Sequence, residues 1–193
     1  MSEHLLENPM RIYCLLSLMS LGLFGATFQS SSENFKFNYN DSNWEVVALR
    51  LEKNGAEDID KSMAQQTVAT IHRIQADDKY HARFHVVTDS IAKFTDTKTP
   101  VVSQYQKYTV EFLKSQRFQI FSVEPIQLPN VKETAFEIIA NQRDFGLKFK
   151  QVIFVHSGKA YILTATTRTE KYDAYKNELK VVFDSFEFLP TAK

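Results

Sequence analysis

His81, Arg83 and His85 occupy alternate positions of a β-forming stretch, a spacing that puts both imidazoles on one face of a strand, where neutral histidines can ligate a divalent metal. The guanidinium of Arg83 between them repels a cation, and no carboxylate stands at the matching position. Solvated or core-edge histidines are therefore the simpler reading, and His81 and His85 remain the weak metal-ligand candidates of the chain. A nucleophile is harder to find. His156-Ser157-Gly158 lacks the glycine pattern of a nucleophile elbow and falls between two β-rich runs, which marks it as a turn. Glu57, Asp58 and Asp60 lack the spacing and the glycine of a calcium loop and read as a solvated loop. Asp77-Asp78 reads as another turn rather than a carboxylate pair set up for acid–base work.

Composition removes further classes. After the N-terminal run only Gly55, Gly146 and Gly158 remain, too few for a phosphate-cradling loop or a dinucleotide fingerprint. Lysine plus arginine equals aspartate plus glutamate, 23 against 23, so there is no net basic charge for nucleic acid or anionic lipid to engage. Neither a catalytic site nor a cofactor is expected. The aromatic residues are the surplus: sixteen phenylalanines, eight tyrosines and one tryptophan, Trp44. Most belong in a core, and the remainder suits a groove on a sheet face left open by helices.

The elements that must carry these residues follow from hydrophobic period. Phe35–Tyr39 alternates and Glu45–Leu51 is rich in β-formers, with Asn40–Asn43 as a turn, which predicts an opening hairpin. Strands are expected at Thr67–Ile74, Arg83–Val87, Phe118–Val123, Glu133–Asn141, Gly146–His156 and Lys159–Thr167, with Pro125 and Pro129 marking a loop. The hairpin around Ser157-Gly158 is the clearest of these, because two turn-forming residues join two alternating runs, one of them Phe149, Gln151, Ile153, Val155. After Pro100, Val101, Val102, Tyr105, Tyr108, Phe112 and Leu113 recur at helical spacing. A second helix is expected from Glu170 to Asp184, with Tyr172, Tyr175, Leu179, Val182 and Phe183 on one stripe, before a short strand at Phe186 and Phe188. Hairpin connections imply a mainly antiparallel sheet, and two amphipathic helices suffice to cover it, an α+β layered domain.

The chain opens differently. Ile12–Ala26 is an apolar run without charge, preceded by Arg11 and closed by Gly25 and Ala26, and it is shorter than the roughly 20 residues that span a bilayer. It reads as a cleaved secretion signal, residues 1–26, followed by a polar linker, 27–34, and one domain, 35–190. Glu3 and Glu7 precede any basic residue, which suggests translation from Met10. Cys14, the single cysteine, lies near the start of the run, so neither lipidation nor a thiol in the exported domain is expected.

One resemblance adds to this reading. Gln151-Val-Ile-Phe-Val-His-Ser-Gly-Lys-Ala-Tyr-Ile-Leu-Thr-Ala-Thr166, then Tyr175 within a helix and Asp184-Ser-Phe-Glu-Phe188, resembles the closing signature of the PsbP-like or DcrB-like superfamily, and Phe35-Lys-Phe through Trp44 is similar to its first hairpin. The resemblance implies a PsbP- or Mog-type fold, a central antiparallel sheet with helices on both sides, and members that bind proteins without a shared catalytic centre. No functional residue carries over to a named position. The expectation is an exported, periplasmic or secreted, non-enzymatic protein-binding module that engages no nucleic acid and does not insert in the membrane once its signal is cleaved. The alternatives are a chaperone for apolar helices, similar to the Eag proteins, and, less favoured, a metal-dependent hydrolase using His81, His85 or His156.

Overall fold

The computed structural model of the chain describes residues 25–47 and 66–190. In chain order its elements are β1 (Ala26–Ser30), β2 (Phe35–Tyr39), β3 (Trp44–Val46), β4 (Gln66–Arg73), β5 (Arg83–Ser90), α1 (Val101–Ser115), β6 (Gln119–Ile126), β7 (Ala135–Gln142), β8 (Leu147–His156), β9 (Lys159–Arg168), α2 (Tyr172–Asp184) and β10 (Glu187–Phe188). Seven strands form one antiparallel sheet in the order β3-β4-β5-β9-β8-β7-β6, and three form a second in the order β1-β2-β10. This is the expected α+β class.

The register is set where turn chemistry is strongest. Ser157 and Gly158 both have positive φ, 47° and 78°, as a two-residue primed turn between paired strands requires, and His156 faces Lys159 across it. The other end of the sheet shows why proline need not end a strand. Pro125 lies inside β6 opposite Phe136, although its sequence marked a loop, because β6 is the edge strand of the sheet and, among the described residues, no strand on its outer side needs the missing N–H.

The opening hairpin differs from expectation. β2 pairs with β1 on one side and β10 on the other, whereas β3 pairs with β4 in the large sheet. The Asn40–Asn43 turn, held by Trp44 N–H donating to the Asn40 carbonyl at 2.9 Å, thus carries the chain from one sheet to the other. The stretch 27–34, expected as a linker, holds most of β1 and its turn to β2. Phe28 stacks on Phe37 at 5.1 Å, so this short strand is fastened by its inward side chain despite its polar composition, and the folded unit begins before Phe35. The expected signal lies outside the described residues save for Gly25 and Ala26, and Ala26 opens β1. Met10, Cys14 and the Glu57–Asp60 loop also lie outside them.

Alternation along the strands makes two cores. On one face of the large sheet, α2 and the small sheet bury Trp44, Ile71, Phe84, Phe154 and Leu163. Here Phe37 and Phe183 both meet Phe84 edge-on at 5.2 Å, and Phe35 stacks on Phe186 at 5.0 Å. On the opposite face α1 covers a smaller core of Tyr105, Leu113, Ile138, Ile153 and Ile162. Helices thus lie on both sides of the sheet, and the α1 side is the more thinly covered. Among the described residues no helix is long and apolar enough to cross a membrane.

Candidate functional site

Helix α1 starts directly after Pro100, whose ring fixes φ at −52° at the position before the first turn. Its buried residues are Tyr105, Thr109 and Leu113, one above another at intervals of four. Tyr108 and Phe112 do not join that stripe as their spacing suggested; they flank it, 37% and 52% exposed. Thr109 takes the central place because its hydroxyl donates to the Tyr105 carbonyl at 3.0 Å and so needs no outside partner.

The sheet beneath the helix is organised in cross-strand rows. Val87, Ile162, Ile153 and Phe136 face one another from β5 to β7 and form an apolar row. The next row reads Thr70, His85, Thr164, Gln151 and Ile138, polar over most of its length. A third, His72, Arg83, Thr166 and Phe149, reaches the uncovered side. Where the first two rows pass under α1 they leave a cleft of about 300 Å³, floored by His85, Gln151 and Thr164 and walled by Tyr105, Tyr108 and Phe112.

Charge in the cleft is balanced at one end. Asp89, 5% exposed, accepts the Tyr105 hydroxyl at 2.6 Å and lies 3.4 Å from the Lys93 ammonium. Lys93 in turn sits 4.0 Å from the centre of the Tyr108 ring, a cation–π contact that holds it at the rim. His85 is pushed down to about 4, chiefly by burial and then by the neighbouring Arg83 guanidinium, so it is a neutral imidazole at pH 7 and a weak general base. Gln151 donates through Nε2 to Thr164 Oγ1 at 3.2 Å, while its Oε1 is buried and, among the described residues, has no partner. The arrangement sets aromatic walls over a neutral polar floor, a make-up suited to recognising a bound group.

The two metal-ligand candidates part company. His81 precedes β5, with Nδ1 hydrogen-bonded to the Arg73 carbonyl at 2.6 Å and its ring stacked on His72 at 4.8 Å. His85 alone enters the cleft. Among the described residues no group of three or more histidine, cysteine, aspartate or glutamate side chains converges as a metal would need. His156 lies elsewhere again, 2.5 Å from Glu133 Oε1 and stacked on Phe188 at 3.7 Å. Burial raises Glu133, but the bond from His156, the backbone N–H groups of Glu133 and Lys132 and the nearby imidazole together outweigh it and hold the carboxyl below its usual range.

Asp77-Asp78 does form a turn: Asp78 and Lys79 have φ of 48° and 66°, and Asp77 pairs with Tyr80. Asp77 also accepts the Tyr175 hydroxyl at 2.6 Å, tying this turn to α2. A second cavity, about 360 Å³ under α2, has Glu137 and Lys150 of its lining paired at 2.5 Å. Of the cleft residues, sequence reasoning singles out only His85 as a candidate ligand; Tyr105, Tyr108, Phe112 and Leu113 read as one helical stripe and Gln151 as part of an alternating strand, and none of them is marked as belonging to a site. The signal for Gln151 was present, a single amide in the otherwise apolar row Phe149, Ile153, Val155.

The comparisons with known proteins agree with this architecture. A family model described as PsbP-like protein matches residues 22–188. The solution structure of cyanobacterial PsbP (CyanoP) from Synechocystis sp. PCC 6803 superposes with a TM-score of 0.55 at 11% identity, covering 84% of this chain and 91% of that one. LpqN of Mycobacterium tuberculosis, described as involved in cell envelope biogenesis, gives 0.53 at 11% identity, with 81% and 83% covered. PA94 of Pseudomonas aeruginosa, a protein of unknown function, gives 0.52 at 17% identity, with 78% and 99% covered. No curated protein sequence matches the chain.

Proposed function

Since the chain belongs to the PsbP-like family, we propose that it is an exported, non-catalytic accessory module that binds a protein partner across the sheet face flanking α1. The observation that carries this is the uneven cover of that face. Among the described residues, the third row on this face carries Glu45 and Arg83, both exposed, and the helix leaves Tyr108 and Phe112 partly exposed over the cleft. Exposed aromatic side chains on a face that also carries an arginine and other charged groups have the make-up of an interface core and rim. Export is supported by the apolar run Ile12–Ala26. An extracytoplasmic setting is in keeping with the description of LpqN as involved in cell envelope biogenesis.

Fractionation and intact mass test the export half: the product is expected outside the cytoplasm, shortened at its N-terminus. A full-length cytosolic product would reverse it and favour a chaperone for apolar helices. Affinity capture from native envelope extracts tests the binding half. One protein returned reproducibly, and lost from a Phe112→Ser Tyr108→Ser double variant, supports the assignment; no specific protein over repeated captures counts against it.

A further inference from the structure

We infer that the cleft between α1 and the sheet is itself a binding site for a small, uncharged aromatic compound bearing a hydroxyl group, whose O–H donates to Gln151 Oε1 while its ring system lies between the sheet and the Tyr105, Tyr108 and Phe112 side chains. This goes beyond the docking of a protein partner, because the site is an interior slot with its own unmet hydrogen-bond requirement.

Size is the first argument. A cavity of about 150 Å³ lined by apolar side chains takes up benzene. The cleft, at about 300 Å³, is twice that and stands at the lower end of natural ligand pockets. A bicyclic ring with one polar substituent fits it. Shape agrees, since helix side chains form one wall and the flat β5-β9-β8 surface the other, so a planar body fills the slot better than a branched one.

Polarity supplies the second argument. Gln151 Oε1 is buried and, among the described residues, unpartnered, with the amide turned so that Nε2 already serves Thr164. The ligand group that meets it must donate. His85 belongs to the same cross-strand row, and its neutral imidazole carries one donor and one acceptor nitrogen, so a hydroxyl, which both donates and accepts, is matched by the floor as a whole.

Charge decides against the ionic alternatives. Asp89 and Lys93 both line the cleft and are already engaged, Asp89 with the Tyr105 hydroxyl and Lys93 with Asp89 and the Tyr108 ring. An anionic ligand would meet Asp89 and a cationic one Lys93, and among the described residues lining the cleft no other charge is free to balance either.

The test is a titration of the exported chain with 2-naphthol, followed by calorimetry and by amide NMR shifts. Beside it run 2-methoxynaphthalene, which keeps the ring and loses the donor, and 2-naphthoate, which carries a charge. Saturable 1:1 binding of 2-naphthol in the sub-millimolar range is expected, with shifts at His85, Tyr105 and Gln151. Withdrawing the donor from a buried acceptor weakens binding by roughly tenfold or more, so 2-methoxynaphthalene and the Gln151→Leu variant should both show that loss. The ligand series needs no variant, and Phe112, half exposed on the helix, allows Phe112→Ala to be made without disturbing the core. No saturable binding up to the solubility limit would mean that only water fills the cleft and would overturn the inference. So would equal affinity for the methyl ether, or binding that neither Gln151→Leu nor Phe112→Ala changes.

Discussion

Replacing Glu178 by alanine should destabilise the domain by about 2–3 kcal/mol, because one carboxylate serves three donors that bring α2 to the start of the large sheet. Its Oε2 accepts Trp44 Nε1 at 2.7 Å and an Arg73 guanidinium nitrogen at 3.0 Å, and its Oε1 lies 3.4 Å from Asn43 Nδ2. Arg73 is 13% exposed, has the Tyr175 ring 4.1 Å away, and has a buried Nε with no partner among the described residues, so it cannot turn to water when Glu178 goes. Trp44, at 1% exposure, loses its acceptor as well. Breaking a fully buried ion pair costs about 3–5 kcal/mol, and the 31% exposure of Glu178 reduces that figure by solvent screening. For a domain of this size each kcal/mol moves Tm by about 2–4 °C, so a fall of about 4–12 °C is expected. Glu178→Gln keeps an acceptor for Trp44 and removes only the charge, and should cost about half as much. Urea and thermal unfolding followed by the fluorescence of Trp44, the single tryptophan, and by far-ultraviolet circular dichroism read both variants. A Glu178→Ala protein within about 0.5 kcal/mol of the parent would refute the reasoning, as would equal losses for the two substitutions.

His85 makes stability depend on pH. Its folded value, about 4, lies below the ordinary 6.5, so between these limits the unfolded chain binds a proton that the folded one refuses; stability is whole above pH 6.5 and falls as pH drops toward 4. The loss is up to about 3 kcal/mol, and His85→Gln should flatten the profile in that window when unfolding is measured across pH. Gly158 holds φ at 78°, so Gly158→Ala should cost about 1–2 kcal/mol in denaturant unfolding, and an unchanged midpoint would contradict the primed turn. Tyr105→Phe removes the hydroxyl that Asp89 accepts at 2.6 Å and should destabilise by about 1.5–3 kcal/mol, read by thermal unfolding; a neutral result would mean that Lys93 alone satisfies the carboxylate.

What could be read from the sequence was what local period and turn chemistry determine. The alternation in β8 and β9, the primed turn between them and the stripes of α1 and α2 all follow from residues a few positions apart, and the PsbP-like motifs lie in the same segments. What escaped was decided by distant partners. β1 is short and polar outside Ala26 and Phe28, and becomes a strand because β2 and the Phe37 ring are there to receive it. β2 itself is completed by Glu187 and Phe188 from the far end of the chain, which no local pattern announces. The site behaves likewise. His81 and His85 share a period of two in sequence, but β5 begins only at Arg83, so His81 turns to His72 and the Arg73 carbonyl. The pairing of Tyr105 with Asp89 joins a helix to a strand across an intervening loop, and arises only when α1 lies down on the sheet.

Placing a photo-crosslinking phenylalanine at position 112 or 83, on the α1 side, or at Lys176, exposed on α2, and irradiating intact cells tests the binding face most directly. One discrete adduct shared by positions 112 and 83 and missing at 176 is the predicted result. Adducts formed equally well from 176, or from 176 alone, would contradict it.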